Sequence, residues 1–280
     1  MKMRSLLFVP GDRPDRMGKA LKSGADALIL DLEDSVAPQA RPEARRHVAE
    51  FLSQNPSATL WVRINPLDSP DADRDLGAIV HSRPDGIVLP KAEGGPAVAE
   101  LARRLTDRGN VGAMILPIAT ETPAALFALG SYAGAKRLAG LSWGAEELSA
   151  AVGASTAREE DGRYTPPYEM ARALCLFAAA AAGVPAVDTI YPDFRNADGL
   201  GAYAARARRD GFSGMLAIHP DQVPIINQAF TPSESEIAHA RAVVAAFEAQ
   251  PGAGAVSLDG HMIDRPHLVQ AQRILANARS

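Results

Sequence analysis

An apolar run near the start of the chain ends in an acidic cluster. The segment ADALILDLEDSVAP, residues 25–38, places Asp31, Glu33 and Asp34 within four positions of one another. Carboxylates this close repel one another and are disfavoured beside apolar side chains. The acidic cluster (Asp31, Glu33 and Asp34) therefore calls for a chemical explanation, and a bound cation would supply one because a dication offsets the repulsion.

Other charged and polar residues follow apolar runs in the same way. Several carboxylates without a cysteine or histidine cluster suit a hard cation such as Mg²⁺, with Mn²⁺ as an alternative, bound through one or two carboxylates and completed by water and substrate oxygens. The same set could instead form structural ion pairs and helix caps. The residues in these positions are Asp12, Arg13, Arg63, Asn65, Lys91, Glu121, Glu146, Glu147, Asp193 and His219. The histidines lack the spacing of a zinc site, and neither a P-loop nor a GxSxG motif is present.

Eight apolar runs alternate with helical stretches and must position these residues. Runs buried on both faces and separated by helices are typical of parallel strands. Eight such units over about 220 residues predict a TIM (β/α)8 barrel rather than a doubly wound sheet, with the active site at the carboxyl ends of the strands. The predicted strands span 5–11, 27–34, 59–65, 86–92, 113–120, 137–144, 186–192 and 214–220.

Alternation along the second run predicts where its acids point. In a strand, Ile29, Asp31 and Glu33 share one face and the leucines between them share the other. We expect the leucines to face helices and the acids to face the top of the barrel lumen. Arg63 shares its face with Trp61 and Asn65 in the same way.

The chain continues beyond the eighth unit. We predict a catalytic barrel domain over residues 1–230 and a C-terminal helical extension over 231–280, an arm or lid that packs on a neighbouring subunit. The extension begins with a helix that Ser233 is suited to cap. A glycine-rich loop, a short extended segment and a last helix follow.

Composition excludes several classes of function. The formal net charge of −4 gives no overall attraction to nucleic acid or an anionic membrane, so an anionic ligand would need a local basic patch. The single cysteine, Cys175, rules out an intrachain disulfide and predicts a reducing, cytoplasmic location. Its apolar surroundings indicate a buried, inert thiol. No apolar run is long enough to span a membrane.

Several motifs together resemble the citrate lyase β-subunit-like family of acyl-CoA lyases, within the HpcH/HpaI aldolase superfamily. Malyl-CoA and citramalyl-CoA lyases belong to it. The resemblance covers almost the whole chain and implies a Mg²⁺-dependent TIM barrel whose C-terminal segment crosses to a neighbour in a homotrimer or hexamer. The motifs are RSLLFVPGDRPDRMGKAL, LILDLEDSVAP, VRINPLDSPD, DGIVLPKAE, TETPAAL, GLSWGAEELSAAVGA, GFSGMLAIHPDQVPIINQAFTPS and LDGHMIDRPHL.

The resemblance implies roles for particular residues. Glu121 in TETP matches one metal ligand, and Glu147 in WGAEELSA matches the other, where relatives usually have Asp. The extra methylene moves the carboxylate by about 1.5 Å, and Glu146 could turn inward instead. Arg63 matches the arginine that grips the keto-acid oxygen, and Asp264 in GHMIDRP matches a catalytic acid supplied by the adjacent subunit.

The same resemblance implies a CoA site and an outer role for the acids. Arg13 and Lys19 match residues that hold the CoA phosphates, with Phe8 near the adenine. The acidic cluster matches residues that hydrogen-bond the water ligands of the metal.

The implied reaction cleaves a carbon–carbon bond in a 3-hydroxy-acyl thioester that carries a carboxylate beside the hydroxyl. The products are an acyl-CoA and a small α-keto acid, from a substrate of the malyl-, citramalyl- or citryl-CoA type. Three alternatives stay open: a citrate lyase β-type subunit acting on a carrier-bound thioester, a malyl-CoA thioesterase, and a class II aldolase of free keto acids. Class II relatives usually have His where this chain has Asp34.

Overall fold

The protein is described here by a computed structural model covering residues 2–55 and 57–279. The chain divides into two compact units, one spanning Met3–Asn227 and one that begins at Gln228. No helix within the described ranges is both long and apolar enough to cross a bilayer.

Eight parallel strands form the first unit and alternate with helices along the chain. The strands are β1 (Ser5–Pro10), β2 (Ala27–Asp31), β3 (Leu60–Arg63), β4 (Gly86–Leu89), β5 (Met114–Pro117), β6 (Leu141–Ser142), β7 (Ala186–Asp188) and β8 (Gly214–Ala217). The helices are α1 (Pro14–Ala20), α2 (Arg41–Gln54), α3 (Pro70–Ile79), α4 (Gly95–Asp107), α5 (Pro123–Ala128), α6 (Glu146–Val152), α7 (Pro166–Ala181), α8 (Ala197–Asp210) and α9 (Gln222–Phe230). Short 3-10 turns cover Pro38–Ala40, Val80–Ser82 and Leu129–Tyr132.

The sheet closes on itself. Its hydrogen-bonded order is β5-β4-β3-β2-β1-β8-β7-β6, all parallel. Parallel bridges join Ile115 to Leu138 and Ile118 to Ser142, and they link β5 to the β6 segment. The structure is therefore the predicted (β/α)8 barrel.

Each strand is shorter than its predicted run and stops early at the carboxyl end. β2 ends at Asp31 and β3 at Arg63, whereas the apolar runs continue to residues 34 and 65. The ladder stops where the chain turns toward the next helix, so hydrophobicity alone overestimates strand length. As a result Glu33 and Asp34 lie on a loop.

Side chains from the strands fill the barrel lumen. Ile29 and Trp61 belong to one buried cluster with residues from the other long strands, while Leu28 and Leu30 do not, which confirms the predicted alternation. Gly86 on β4 leaves room for the indole, because a Cβ there would lie 2.3 Å from the Trp61 ring. The lumen is thus filled with packed side chains below the carboxyl ends of the strands, as in other barrels of this kind.

The second unit contains α10 (Glu234–Glu248), β9 (Ala255–Leu258), β10 (His261–Asp264) and α11 (Arg265–Arg279). Ser233 caps α10 as predicted: its Oγ accepts from the Glu236 backbone N–H, and the Glu236 carboxylate accepts from the Ser233 N–H at 2.7 Å. β9 and β10 pair antiparallel. Asp259 and Gly260 make the turn with positive φ angles of 50° and 79°, as a tight hairpin requires.

Candidate active site

Arg63 is held by the strand beside it. Asp31 and Arg63 are direct register partners on β2 and β3. Nε and Nη2 of Arg63 each donate to one carboxylate oxygen of Asp31 at 2.7 Å. Backbone N–H groups of Glu33 and Ser35 donate to the same carboxylate. Burial raises the pKa of Asp31, but the charge and hydrogen bonds of Arg63 outweigh burial, and the pKa is lowered overall.

The other edge of the guanidinium faces the rest of the acidic cluster. Nη1 of Arg63 lies 3.2 Å from Oδ2 of Asp34 and 3.1 Å from Oε2 of Glu33. The ring of Phe8, which packs on the lumen cluster, lies 4.7 Å from the Arg63 Cζ. Arg63 is therefore fixed in a single orientation by a bidentate pair, which is the strong form of such contacts.

Glu33 has one paired oxygen and one orphaned oxygen. Its Oε1 accepts from Nζ of Lys91 at 2.7 Å. Its Oε2 is buried and has no hydrogen-bond partner in the described residues, since Nη1 of Arg63 is near it but not aligned. Burial raises the pKa of Glu33 to about 7. A buried acceptor without a donor is costly, so this oxygen is suited to receive a hydrogen bond from a bound group.

Lys91 connects the acidic cluster to Glu121. Its backbone has a positive φ of 49°, an uncommon conformation for a residue with a side chain. Its backbone N–H donates to a carboxylate oxygen of Glu121, while its side chain reaches Glu33. One residue thus orients two carboxylates.

Glu121 and Glu147 converge on Gly144. A Cβ built on Gly144 would lie 3.0 Å from Cγ of Glu121 and 3.3 Å from Oε2 of Glu147. Burial, followed by the charges of Glu147 and Glu33, raises the pKa of Glu121 to about 8. The glycine leaves a space bordered by two carboxylates whose mutual repulsion a cation would relieve.

The loops after β5 and β6 fix this pair. The hydroxyl of Thr120 donates to the Gly144 carbonyl at 3.1 Å and accepts from the Gly144 N–H at 3.2 Å. Beside it, the indole N–H of Trp143 donates to Asp188 at 2.6 Å, and Asp188 is itself paired with Arg172. These bonds hold the backbone between the two glutamates. Glu147 is half-buried in the first turn of α6, whereas Glu146 is exposed, so Glu147 is the acid that turns inward.

Three other predicted site residues are described by their own local contacts and exposure. Arg13 and Lys19 are exposed at α1, and the Arg13 Nε lies 3.4 Å from an oxygen of Asp15. Asp264 belongs to the second unit, where its carboxylate contacts His267. Asn65, one of the polar strand-end residues, instead binds Asp75 of α3.

Sequence reasoning assigned no role to Lys91 or Gly144. The signal for Gly144 is a glycine between a predicted strand and two acids in SWGAEE. The signal for Lys91 is its position directly after β4, but its left-handed backbone depends on the loop.

The site can hold a hard cation by its donor chemistry. Carboxylate oxygens are the ligands that Mg²⁺ prefers, and one or two are typical. Glu121 and Glu147 supply them, and the orphaned oxygen of Glu33 could accept from a water ligand. Within residues 2–55 and 57–279, no three His, Cys, Asp or Glu side chains converge as a complete metal cage.

Comparison with known sequences identifies similar proteins. A family model described as HpcH/HpaI aldolase/citrate lyase matches residues 4–220. A citrate lyase subunit beta-like protein of Mycobacterium tuberculosis is 38% identical over 272 residues, 97% of this chain and 94% of that protein. A (3S)-malyl-CoA thioesterase of Cereibacter sphaeroides is 34% identical over 288 residues, 99% of this chain and 95% of that protein.

Solved structures of the same kind superpose on this chain. The protein CitE of Mycobacterium tuberculosis, in complex with magnesium, acetoacetate and coenzyme A, has a TM-score of 0.83 at 36% identity, covering 100% of this chain and 99% of its own. A citrate lyase beta subunit of the same organism, complexed with oxaloacetate and magnesium, has a TM-score of 0.73 at 35% identity, covering 82% of this chain and 98% of its own.

Proposed function

The chain belongs to the HpcH/HpaI aldolase/citrate lyase family, and on that premise we propose that it is a Mg²⁺-dependent carbon–carbon lyase of acyl-CoA thioesters. The substrate is a 3-hydroxy-acyl-CoA with a carboxylate on the hydroxyl-bearing carbon, of the malyl-, citramalyl- or citryl-CoA type. The products are an acyl-CoA and an α-keto acid. The magnesium, keto-acid and CoA ligands of the similar CitE structure support this choice.

One observation carries the proposal. The guanidinium of Arg63 is held in place near two carboxylates, those of Glu121 and Glu147, that repel each other. Arg63 is fixed by Asp31 through two bonds of 2.7 Å. The raised pKa of Glu121 reflects burial and the charge of Glu147. The two carboxylates suit a bound cation, and the guanidinium suits an anionic keto acid.

Glu121 and Glu147 would hold the Mg²⁺, and Glu33 would accept a hydrogen bond from one of its waters through Oε2. When bound, the ion supplies Lewis-acid polarisation of the keto-acid oxygen. Lys91 keeps both Glu33 and Glu121 oriented. Preorganised ligands of this kind need no rearrangement during the reaction.

Arg63 would stabilise the developing negative charge, and Asp264 would transfer a proton. Arg63 donates to the oxygen on which negative charge collects as the carbon–carbon bond breaks, because charged donors strengthen as charge develops. Asp264 of a neighbouring subunit protonates the thioester enolate carbon, or removes that proton in the condensation direction. A base takes the hydroxyl proton of the substrate.

The exposed basic residues of α1 support binding of the CoA phosphates. Arg13, the residue directly before α1, and Lys19, in its last turn, are both exposed. Phe8 contacts Arg63 from the lumen side, and its contact with the CoA adenine stays a prediction. The buried thiol of Cys175 supports a reducing, cytoplasmic compartment.

Exposed apolar side chains support a homo-oligomer. Phe127 on α5 is 93% exposed, and Met170, Leu174 and Phe177 of α7 are exposed at helical spacing. Large exposed apolar groups that recur on one helix face are typical of interaction surfaces. A trimer or hexamer would cover them.

The test is a substrate panel. Purified protein is assayed with malyl-, citramalyl- and citryl-CoA, with Mg²⁺ and with EDTA. Keto-acid release that EDTA abolishes and Mg²⁺ restores is the expected result, whereas lyase activity unaffected by EDTA would overturn the metal assignment.

A second function is favoured by the similar (3S)-malyl-CoA thioesterase. The same site would then hydrolyse the thioester and release free CoA. Free thiol without keto acid in the panel identifies that activity.

The chain is also similar to citrate lyase beta subunits, for which the alternative is a carrier-bound substrate. Turnover of a thioester on acyl-carrier protein but not on CoA identifies that alternative. Turnover of a free keto-acid aldol without CoA identifies a class II aldolase.

A further inference from the structure

The side chain of Trp143 is bonded to the strand next to its own. This residue directly follows β6 and precedes Gly144. Its indole is fully buried, and its Nε1–H donates to Oδ1 of Asp188, the last residue of β7, at 2.6 Å. Because β6 and β7 are parallel neighbours, with Ser142 paired to Val187, the bond joins the two strands at their carboxyl ends.

Four residues hold the carboxylate of Asp188 in place, and it has no solvent exposure. Besides the indole N–H, its Oδ1 accepts from the backbone N–H of Thr189 at 2.9 Å and from the hydroxyl of Tyr203 at 3.1 Å. Its Oδ2 accepts from Nε and Nη2 of Arg172 at 3.0 and 2.7 Å. Charge-assisted bonds of this kind are strong and directional, so the acceptor for the indole has a defined position.

An aromatic contact also restrains the indole of Trp143. The ring of Tyr164 meets it edge-on, with ring centroids 4.9 Å apart and planes at 66°. Tyr164 is buried, and its hydroxyl accepts from Nη2 of Arg158 at 2.6 Å. Edge-to-face pairs at this separation are favourable, so packing and the hydrogen bond to Asp188 together fix the indole.

The position of the indole is transmitted to Gly144, because the two residues share a peptide bond. Thr120 exchanges two hydrogen bonds with Gly144 and thereby ties the loop after β5 to the same residue. A Cβ on Gly144 would lie 3.0 Å from Cγ of Glu121 and 3.3 Å from Oε2 of Glu147. A displacement of this backbone therefore changes the space between the two carboxylates.

We propose that Trp143 is a positioning residue for the Mg²⁺ site. Its bond to Asp188 keeps the adjoining backbone where Glu121 and Glu147 can bind one ion together. Asp188 acts through its position and not through its charge, because the guanidinium of Arg172 offsets that charge. The inference rests on the proposed function, which requires the ion, and it extends the site to side chains of α7 and α8.

The competing interpretation is that Trp143 only packs in the core. Trp143→Phe keeps an aromatic ring beside Tyr164 but removes the N–H. Tyr203→Phe is the matched control, because it removes one donor from the same oxygen of Asp188 and keeps its own ring. Neither variant leaves Oδ1 of Asp188 without a donor, so we expect both to fold. Of the two donors, only the indole is joined to the backbone beside the glutamates.

The experiment measures metal affinity without turnover. Binding of Mn²⁺ to the purified full chain is followed by electron paramagnetic resonance, and Mg²⁺ is then added to displace it. Trp143→Phe is expected to raise the dissociation constant about 10-fold or more, as is typical when a group that orients metal ligands is lost. Tyr203→Phe is expected to keep the wild-type dissociation constant. Both variants should lower the melting temperature, since each loses a buried hydrogen bond.

A replacement of the same shape separates the hydrogen bond from packing. Benzothienylalanine in place of Trp143 keeps a bicyclic ring and has sulfur where the indole has N–H, so it packs alike but cannot donate to Asp188. It is expected to weaken Mn²⁺ binding as Trp143→Phe does, and it decides the test if Trp143→Phe does not fold. Wild-type affinity in this variant would overturn the inference.

The remaining outcomes separate the inference from the proposed function. If the wild-type chain binds Mn²⁺ and both replacements of Trp143 bind it equally well, the inference fails and the proposed function stands. Equal weakening in Tyr203→Phe also contradicts the inference, because the loss would then come from Asp188 in general and not from the indole. If the wild-type chain binds neither Mn²⁺ nor Mg²⁺, the metal site of the proposed function and the inference fail together.

Discussion

Asp31 and Arg63 are paired twice, once through the register of β2 and β3 and once through two side-chain bonds of 2.7 Å. Strand pairing therefore sets the position of the guanidinium before any substrate arrives. Because the carboxylate also accepts two backbone N–H groups of the following loop, Asp31 ties the strand end, the loop and Arg63 together.

Asp31→Asn should destabilise the fold and weaken keto-acid binding. The buried Arg63 loses its bidentate partner, and breaking a buried pair costs about 3 kcal/mol. Urea unfolding measures this loss. Asp34→Asn is the matched control, since Asp34 is half exposed at 3.2 Å from the same guanidinium and should change stability by less than about 1 kcal/mol. Equal effects of the two variants would contradict the anchoring role of Asp31.

Thermal stabilisation by Mg²⁺ should grow with pH. The folded pKa values of Glu33 and Glu121 are about 7 and about 8, above their ordinary value of 4.5. The folded state thus binds more protons than the unfolded state in this window, so metal-free stability falls as pH rises through it. Mg²⁺ offsets the ionised carboxylates, and the rise in melting temperature that it causes should increase from about pH 6 to about pH 8.5. The same scan of Glu121→Gln should show little Mg²⁺ response at any pH. A wild-type response that is flat with pH would count against the two carboxylates as ligands.

Gly144→Ala should weaken Mg²⁺ binding. The added Cβ would come within 3.0 Å of Cγ of Glu121 and 3.3 Å of Oε2 of Glu147, so one carboxylate must move. We expect the Mg²⁺ concentration for half-maximal activity to rise about 10-fold or more. Gly77→Ala, in α3 with nothing within 4 Å of the new Cβ, should leave it unchanged and stabilise the helix by about 0.5–1 kcal/mol. The prediction fails if the two variants respond to Mg²⁺ alike.

Glu147→Asp should also weaken Mg²⁺ binding, although the family resemblance led us to expect Asp at this position. The shorter side chain withdraws the carboxylate by about 1.5 Å from a space that this chain shapes for Glu. Metal titration followed by activity should show an affinity about 10-fold lower, and Glu146→Asp at the exposed neighbouring position should match wild type. An affinity unchanged or improved in Glu147→Asp would mean that the longer side chain has no function of its own.

The sequence was sufficient to predict the barrel and the side chains of β2 and β3 that face its lumen. Eight apolar runs required eight parallel strands, and alternation placed Ile29 and Trp61 in one lumen. Alternation failed at Asn65, because β3 ends at Arg63 and the next residues turn toward α3.

Hydrogen bonds made by the backbone of the loops could not be predicted from the sequence pattern. The bond from the Lys91 N–H to Glu121 requires a left-handed φ of 49°, which no spacing rule encodes. The contact between Asp264 and His267 needs the orientation of a helix start relative to a strand end.

The charges at the carboxyl ends of the strands predict the order in which the metal and the organic substrates bind. When all are ionised, five carboxylates face two cationic side chains, and both the keto acid and CoA are anions that this excess repels. Binding of a dication first removes most of this negative excess, so we expect initial-rate kinetics of compulsory order, in which the metal binds before either organic reactant. The residues concerned are Asp31, Glu33, Asp34, Glu121 and Glu147 against Arg63 and Lys91.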